Sequence, residues 1–359
     1  MSDPRDAARM DEALALARRG WGQTAPNPLV GAVLYSNDQK VGEGFHARFG
    51  EAHAETTAIA AATDRANGAT LYCTLEPCAH HGKTPPCVDA IIASGIARVV
   101  IATRDSNPVA SGGANRLRDA GIDVEFGVRE REARELNAAF FHSVKSDRPW
   151  VTLKLALSLD GAIAGAGRTG GWLTGEESRQ VVQTMRANAD AIAVGVQTAL
   201  ADDPQLTARA DPPPRVPPLR IVFDRSARLS SQSILARTAR ETPTMIITAP
   251  STLMPADLNQ LGVEQLTAED VDDALRQLKS RGVLSLIVEG GAGLAASFLA
   301  GDNVDRLAIF RAPIILGAGA LSAFSGISSQ EIEHAPRFTL VETRALGDDV
   351  LSVYEVRKP

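Results

Sequence analysis

All three cysteines of this chain fall within fifteen residues, CTLEPCAHHGKTPPC from Cys73 to Cys87, and no other feature constrains the fold as tightly. An odd number of thiols does not read as a disulfide framework. The amino terminus, MSDPRDAARMDEALALARRG, is charged and lacks an apolar core followed by a small-residue cleavage site, so no secretory signal is expected. No apolar run approaches the roughly 20 residues that cross a bilayer. The expectation is a cytoplasmic protein whose thiols serve metal binding or thiolate chemistry.

Upstream, His53-Ala54-Glu55 opens a predicted helix. With Cys78, which follows Pro77, and Cys87 it offers one imidazole and two thiolates on two adjacent helix starts. Three protein ligands leave a fourth position for water, as in catalytic zinc sites, whereas structural sites are closed by four. Such a water needs a base to carry its proton, and Glu55, two residues beyond the histidine, suits that task. His-x-Glu followed by Pro-Cys is the signature of zinc nucleobase deaminases. His80 or His81 closing a four-ligand structural site is the competing reading, and Cys73, in mid-strand, reads as a buried small side chain. Eight residues separate Cys78 from Cys87, where the common pattern has two. That loop carries His80, His81 and Lys83, a polar wall that suits a substrate larger or more charged than a bare base.

At 359 residues the chain exceeds the roughly 250–300 at which single cores stop growing, so two domains are expected. Helix and strand patterns alternate from Ala7 onward, with a hairpin turn at Asn37-Asp38 and a last helix over Glu130–His142. The polar Ser-Asp-Arg-Pro stretch then places a boundary near Asp147, giving domains 1–147 and 148–359. The second part alternates strand and helix again, so both halves are read as α/β. A net charge of −6 and only 4% aromatics disfavour a nucleic-acid partner and base-stacking platforms. A nucleic-acid-editing deaminase and a zinc-stabilised structural protein remain the rival classes.

In order, PNPLVGAV, GEGFHARFGEAHAE, TLEPCAHHGKTPPC and RDSNP resemble the deaminase half of the bifunctional riboflavin-biosynthesis deaminase–reductases. LKLALSLDG, GWLTG, ADDPQLTAR and VEGGAGLAASFL resemble the reductase half. The resemblance implies a cytidine-deaminase-like N-terminal domain and a dihydrofolate-reductase-like C-terminal domain. It also implies zinc hydroxide, held by His53, Cys78 and Cys87, attacking a diaminopyrimidinone ribosylamino phosphate, with Glu55 passing the proton to departing ammonia. NADPH would then reduce the ribosyl side chain to ribityl.

By the same resemblance, deaminase substrate contacts fall on Asn27, His46, His80, Lys83, Asp105 and Asn107. Cofactor contacts fall on Ala156, Trp172, Thr198, Asp202, Arg225 and the run Gly291, Ala292, Gly293, Leu294, Ala295, Ala296 and Ser297. Reductase substrate contacts fall on Gly170 (Thr169 being its alternative), Arg186, Leu206, Arg209 and Glu289, with the two arginines suited to a phosphate dianion. Read from the residues, Lys154 and Glu289 are strand-borne charges in apolar runs. Such charges are costly unless paired, so they are expected to form a catalytic pair or a structural ion pair. No Gly-x-Gly-x-x-Gly follows a strand, so a Rossmann fingerprint is absent. The expected partner is a small molecule, the phosphorylated pyrimidine ribosylamine, with no nucleic acid, no membrane and a homo-oligomeric assembly.

Overall fold

Two open sheets, each with its own apolar core, arise from the alternation of strands and helices. The computed structural model describes residues 3–81, 85–107, 111–167, 171–328 and 331–356. Lys83, Thr169 and Gly170, singled out from the sequence, lie outside the described residues. The chain divides into two units, Met1–Lys145 and Ser146–Pro359.

The first unit runs α1 (Pro4–Arg18), β1 (Gly31–Ser36), β2 (Gln39–Phe45), α2 (Ala54–Ala62), β3 (Thr70–Leu75), α3 (Cys87–Ala93), β4 (Arg98–Thr103), α4 (Gly113–Asp119), β5 (Asp123–Phe126), α5 (Glu130–Leu136) and α6 (Ala138–Lys145). Its sheet order is β2-β1-β3-β4-β5. The hairpin β1–β2 is antiparallel, β1 runs antiparallel to β3, and β3, β4 and β5 are parallel. Both turn residues, Asn37 and Asp38, have φ near +50 to +60° (49 and 62), the left-handed pair that matches hairpin twist.

Helix α2 lies directly on β2 because glycine alternates along that strand. A Cβ at Gly42 would sit 2.3 Å from the Ala58 carbonyl oxygen, and one at Gly44 2.5 Å from that of Ala54. The alanine face of the helix completes the close approach, and Ala54, Ala58 and Ala62 are fully buried. This seating fixes the start of α2, where His53 is the N-cap.

The expected single helix over Glu130–His142 is broken at Asn137 (φ −111°, ψ 26°). The reason is tertiary. The Asn137 side-chain amide accepts from Leu29 N at 2.7 Å and donates to Leu29 O at 2.8 Å, an arrangement invisible to local periodicity.

The second unit runs β6 (Trp150–Leu157), β7 (Ala162–Ala164), α7 (Glu176–Ala187), β8 (Ala191–Gly195), α8 (Val196–Asp202), β9 (Leu219–Phe223), α9 (Ile234–Arg237), β10 (Thr244–Thr248), α10 (Ala256–Gln260), β11 (Glu264–Thr267), α11 (Val271–Ser280), β12 (Ser285–Glu289), α12 (Ala292–Ala300), β13 (Arg306–Arg311), β14 (Leu321–Ser322), β15 (Phe338–Leu346) and β16 (Asp349–Val356). The nine-stranded sheet has the order β11-β10-β9-β8-β12-β6-β13-β16-β15. It is parallel from β11 to β13, and β16 and β15 close it as an antiparallel hairpin. β10 is buried at every position and β12 at all but its first, as expected for parallel strands covered on both faces. The short elements α8, α9, α10, β7, β11 and β14 carry too few residues to show a period.

Candidate metal centre and cavity

In the first unit, His53, Cys78 and Cys87 present ligand atoms that all lie within 4.8 Å of one another. His53 Nδ1 is 3.2 Å from Cys87 Sγ and 3.6 Å from Cys78 Sγ. Zinc bonds of about 2.3 Å to sulfur and about 2.0 Å to nitrogen at tetrahedral angles give a ligand–ligand edge of about 3.5 Å, so the donor set fits that ion. Neither His80 nor His81 joins the group among the described residues, which removes the closed four-ligand reading there. Cys73 is fully buried on β3, with its thiol toward the Val100 carbonyl.

Helix starts supply the electrostatics. Cys87 is the first residue of α3, and its backbone N–H donates to Cys78 Sγ at 3.3 Å. The Cys87 thiol and the His53 imidazole likewise stabilise the Cys78 thiolate and push that group down to about 4, while the neighbouring thiolate and burial drive Cys87 up. Glu55 is 3% exposed in the first turn of α2. Burial raises its carboxyl to about 6, within reach of both protonation states near neutral pH.

Among the described residues, Asn27 and His46 are linked to His53, and Asp105 feels the charge of Cys78. Asn27 Nδ2 is 3.2 Å from His46 Nε2, and the His46 ring packs edge-on to His53 with centroids 5.3 Å apart. Burial lowers the pKa of His46, which favours the neutral ring. Asp105 is buried and accepts from Asn107 N at 2.8 Å. Burial raises its pKa, with the nearby charges of Glu76 and Cys78 adding to that and His80 opposing it. Within the described residues His80 Nδ1 is buried without a hydrogen-bond partner.

In the second unit a cavity of about 1790 Å³ opens at the carboxyl ends of the parallel strands, the usual ligand position in such sheets. Pockets for one drug-sized ligand measure roughly 300–1,000 Å³, so this space is large by that standard. Its walls include Lys154, Ala156, Trp172, Arg186, Thr198, Asp202, Leu206, Arg209, Arg225 and Glu289. Gly291, Ala292, Gly293, Leu294 and Ser297 also line it. Ala295 and Ala296 do not: both are buried, with Ala295 in the main core beneath α12. Helical spacing turns those two positions inward, so five of the seven consecutive residues reach the cavity wall.

Gly290 and Gly291 both have positive φ (72° and 84°), and a Cβ on Gly291 would meet Thr198 Oγ1 at 3.0 Å. Gly291 caps α12, and Gly291 to Leu294 line the cavity, so the start of that helix lies on the cavity wall. Trp172 is 75% exposed at the rim, with the Arg179 guanidinium 5.3 Å from its ring centre.

The close partner of Glu289 is Arg186 rather than Lys154. Nε and Nη2 of Arg186 donate to the two carboxylate oxygens at 2.6 and 2.8 Å, and Nη1 donates to the Thr207 carbonyl at 3.1 Å. Lys154 is the register partner of Glu289 across β6 and β12, with Nζ 5.7 Å from the Phe310 ring centre. Burial lowers the Lys154 pKa, an effect that Glu289 opposes and Arg186 reinforces.

An open sheet bearing His-x-Glu and Pro-Cys ligands at two helix starts defines a zinc-dependent hydrolytic deaminase domain. A parallel sheet with a cavity at its strand ends and a glycine-capped helix on the wall is the frame of the second, reductase-type domain. The zinc-binding region of cytidine and deoxycytidylate deaminases matches residues 4–103, and the RibD C-terminal domain matches residues 149–352. The chain is 42% identical to riboflavin biosynthesis protein RibD of Aquifex aeolicus (strain VF5) over 353 residues, covering 98% of each, and 38% identical to that of Escherichia coli (strain K12), covering 96% of this chain and 98% of the relative. Among solved structures, Acinetobacter baumannii RibD, form 1, superposes with a TM-score of 0.85 at 36% identity over 99% of both chains. A diaminohydroxyphosphoribosylaminopyrimidine deaminase/5-amino-6-(5-phosphoribosylamino)uracil reductase from Thermotoga maritima gives 0.87 at 37% identity over 98% of this chain and 99% of its own.

The chain belongs to the RibD family of riboflavin-biosynthesis proteins. It is a bifunctional enzyme, a cytidine-deaminase-like domain followed by a dihydrofolate-reductase-like domain, with zinc serving the first and NADPH the second. Its substrate is a small molecule of the riboflavin pathway, and none of its described helices is long and apolar enough to cross a membrane. Sequence reasoning passed over Glu76 and Asn137, which hold the loops around the metal centre. Glu76 stands inside the cysteine-rich stretch itself, whereas nothing local marks Asn137.

Proposed function

We propose that residues 1–147 deaminate 2,5-diamino-6-ribosylamino-4(3H)-pyrimidinone 5′-phosphate and that residues 148–359 then reduce its ribosyl side chain to ribityl. The observation that carries the first half is the His53, Cys78 and Cys87 triad with buried Glu55 beside it. Bound there, zinc supplies the Lewis acidity that brings water toward ionisation near neutral pH. The Glu55 carboxylate takes the proton of the attacking water and returns it to the departing amino nitrogen. A group poised at about 6 suits both transfers. Asn27, His46, His80, Lys83, Asp105 and Asn107 hold the substrate, and the link from Asn27 to His46 supports a shared orientation of the two.

In the second half, bound NADPH supplies the hydride. The helix start at Gly291, Ala292 and Gly293 with Thr198 would receive its phosphates, and Ala156, Trp172, Asp202, Leu294 and Ser297 the rest of it, with Arg225 at the 2′-phosphate. Glu289 and Lys154 order the sugar, with Lys154 supplying the proton that accompanies the hydride, and Leu206 packs beside it. With Arg186 already closed on Glu289, the substrate phosphate falls to Arg209. The substrate contact expected at Gly170 or Thr169 lies outside the described residues. A homo-oligomer working in the cytoplasm, without nucleic acid or membrane partners, completes the reading. Three unpaired thiols support the reducing compartment, and a net charge of −6 the lack of a nucleic-acid partner.

Incubating the zinc-loaded chain with the phosphorylated diaminopyrimidine and NADPH, and following product mass, tests the whole reading. Replacement of one amino nitrogen by oxygen followed by the gain of two hydrogens is the expected order. Oxidation of NADPH with the amino group retained would reverse that order.

A further inference from the structure

Glu76 stands two residues before Cys78 yet takes no part in the metal triad. It is 5% exposed at the end of β3, where its backbone N–H donates to the Thr103 carbonyl at 3.0 Å. Its carboxylate accepts from two other segments. Oε2 receives Asp105 N at 3.3 Å and Oε1 receives Ala114 N, in the first turn of α4, at 3.0 Å. Among the described residues no ion pair neutralises this carboxylate, so backbone dipoles carry the compensation that a buried charge requires.

The geometry joins three pieces of the first unit at one side chain. The end of β3 leads into Cys78. The stretch after β4 carries Asp105, whose carboxylate in turn accepts Asn107 N. Helix α4 reaches back to the ends of the loop between the cysteines, with Arg116 donating to Ala79 O at 3.2 Å and pairing with Asp89 at 2.7 Å.

We propose that Glu76 is a positioning residue of the deaminase: its carboxylate fastens the Asp105–Asn107 segment and α4 to the strand end that bears Cys78, and so sets substrate affinity rather than chemistry. The proposal rests on the reading above that Asp105 and Asn107 contact substrate. A neutral amide in place of the carboxylate keeps one acceptor and turns an N–H toward the other donor, so the Asp105 segment loses its register while the metal ligands stay.

The test uses the full chain loaded with zinc, comparing Glu76→Gln, Asp105→Ala and the double variant for metal content, reductase rate, and deaminase kcat and KM. Glu76→Gln is expected to keep zinc and reductase activity, to raise deaminase KM about tenfold and to leave kcat within about threefold. In the Asp105→Ala background the same change should alter KM by less than about twofold, since the two act through one contact. Fully additive effects on KM, an unchanged KM, or a fall in kcat alone overturns the proposal. Loss of zinc would overturn it too, by making Glu76 a strut for the metal loop. If Glu76→Gln fails to fold, Glu76→Asp, which keeps the charge but shortens the reach, should show an intermediate KM with full zinc, and a wild-type KM there is equally fatal. An unchanged KM in Asp105→Ala by itself would instead refute the substrate role of Asp105, and the proposal with it.

Discussion

At Glu289 burial and pairing pull in opposite directions. Burial alone would raise the carboxyl, but the two-pronged bond from Arg186 and the charges of Arg186 and Lys154 hold it below its ordinary value of 4.5. Between the depressed folded value and the ordinary one, the unfolded chain binds more protons than the folded one, so stability rises with pH across that window. The contribution is complete above the unfolded value and is lost as pH falls through the folded one. Glu289→Gln should therefore flatten the acid dependence of the second domain's unfolding below about pH 4.5, as read by its thermal midpoint from pH 6 downward. Arg186→Ala leaves the carboxylate buried without its hydrogen-bonded partner and should cost about 3–5 kcal/mol, measurable by denaturant unfolding. Arg225 lies on the cavity wall with one guanidinium N–H on the Glu269 carbonyl at 2.8 Å, leaving further donors for a phosphate. Arg225→Ala should narrow the preference for NADPH over NADH about tenfold in kcat/KM, and an unchanged ratio would remove it from that role. Arg220 is no substitute: it is fully buried and donates to the carbonyls of Gln205, Leu235, Thr238 and Thr242.

The break between α5 and α6 shows what an element gains by being interrupted. Asn137 is 4% exposed, and its amide uses both its ends on the backbone of Leu29. That residue lies two positions beyond Asn27, in the segment linked to His46 and through it to the His53 ring. Asn137→Ala would leave a buried N–H and a buried carbonyl unpaired, at a cost of about 1–3 kcal/mol each. The first domain should melt earlier, and deaminase KM should rise while reductase activity is unchanged. A KM equal to wild type would show that the Asn27 loop holds itself.

For the whole molecule, the metal triad belongs to the first unit and the large cavity to the second. Dialysis against a chelator should stop ammonia release while leaving reduction of supplied deaminated substrate at its original rate. Joint loss of both activities in folded protein would mean that the two chemistries share a site. A chain of residues 148–359 should likewise oxidise NADPH on that substrate, since the nine-stranded sheet and its core are drawn from the second unit alone.

The His53, Cys78 and Cys87 cluster and the alternation of strands and helices could be read from the chain because each rests on short-range information. A thiolate–imidazole set is a chemical identity, and the glycine-alternating strand before an alanine helix is a pattern of sizes. Which charge pairs with which could not be read this way. Lys154 and Glu289 both stand out as charges on apolar strands, but the partner of Glu289 comes from α7, 103 residues earlier, and only packing brings it there. Seven consecutive residues at Gly291–Ser297 look alike on paper, and the turn of α12 sends Ala295 and Ala296 into the core. Glu76 and Asn137 bind backbone groups, which every residue possesses, so no side-chain pattern announces their partners. Local chemistry names the reacting groups, whereas the neighbours that aim them are chosen by the long-range closure of the sheets.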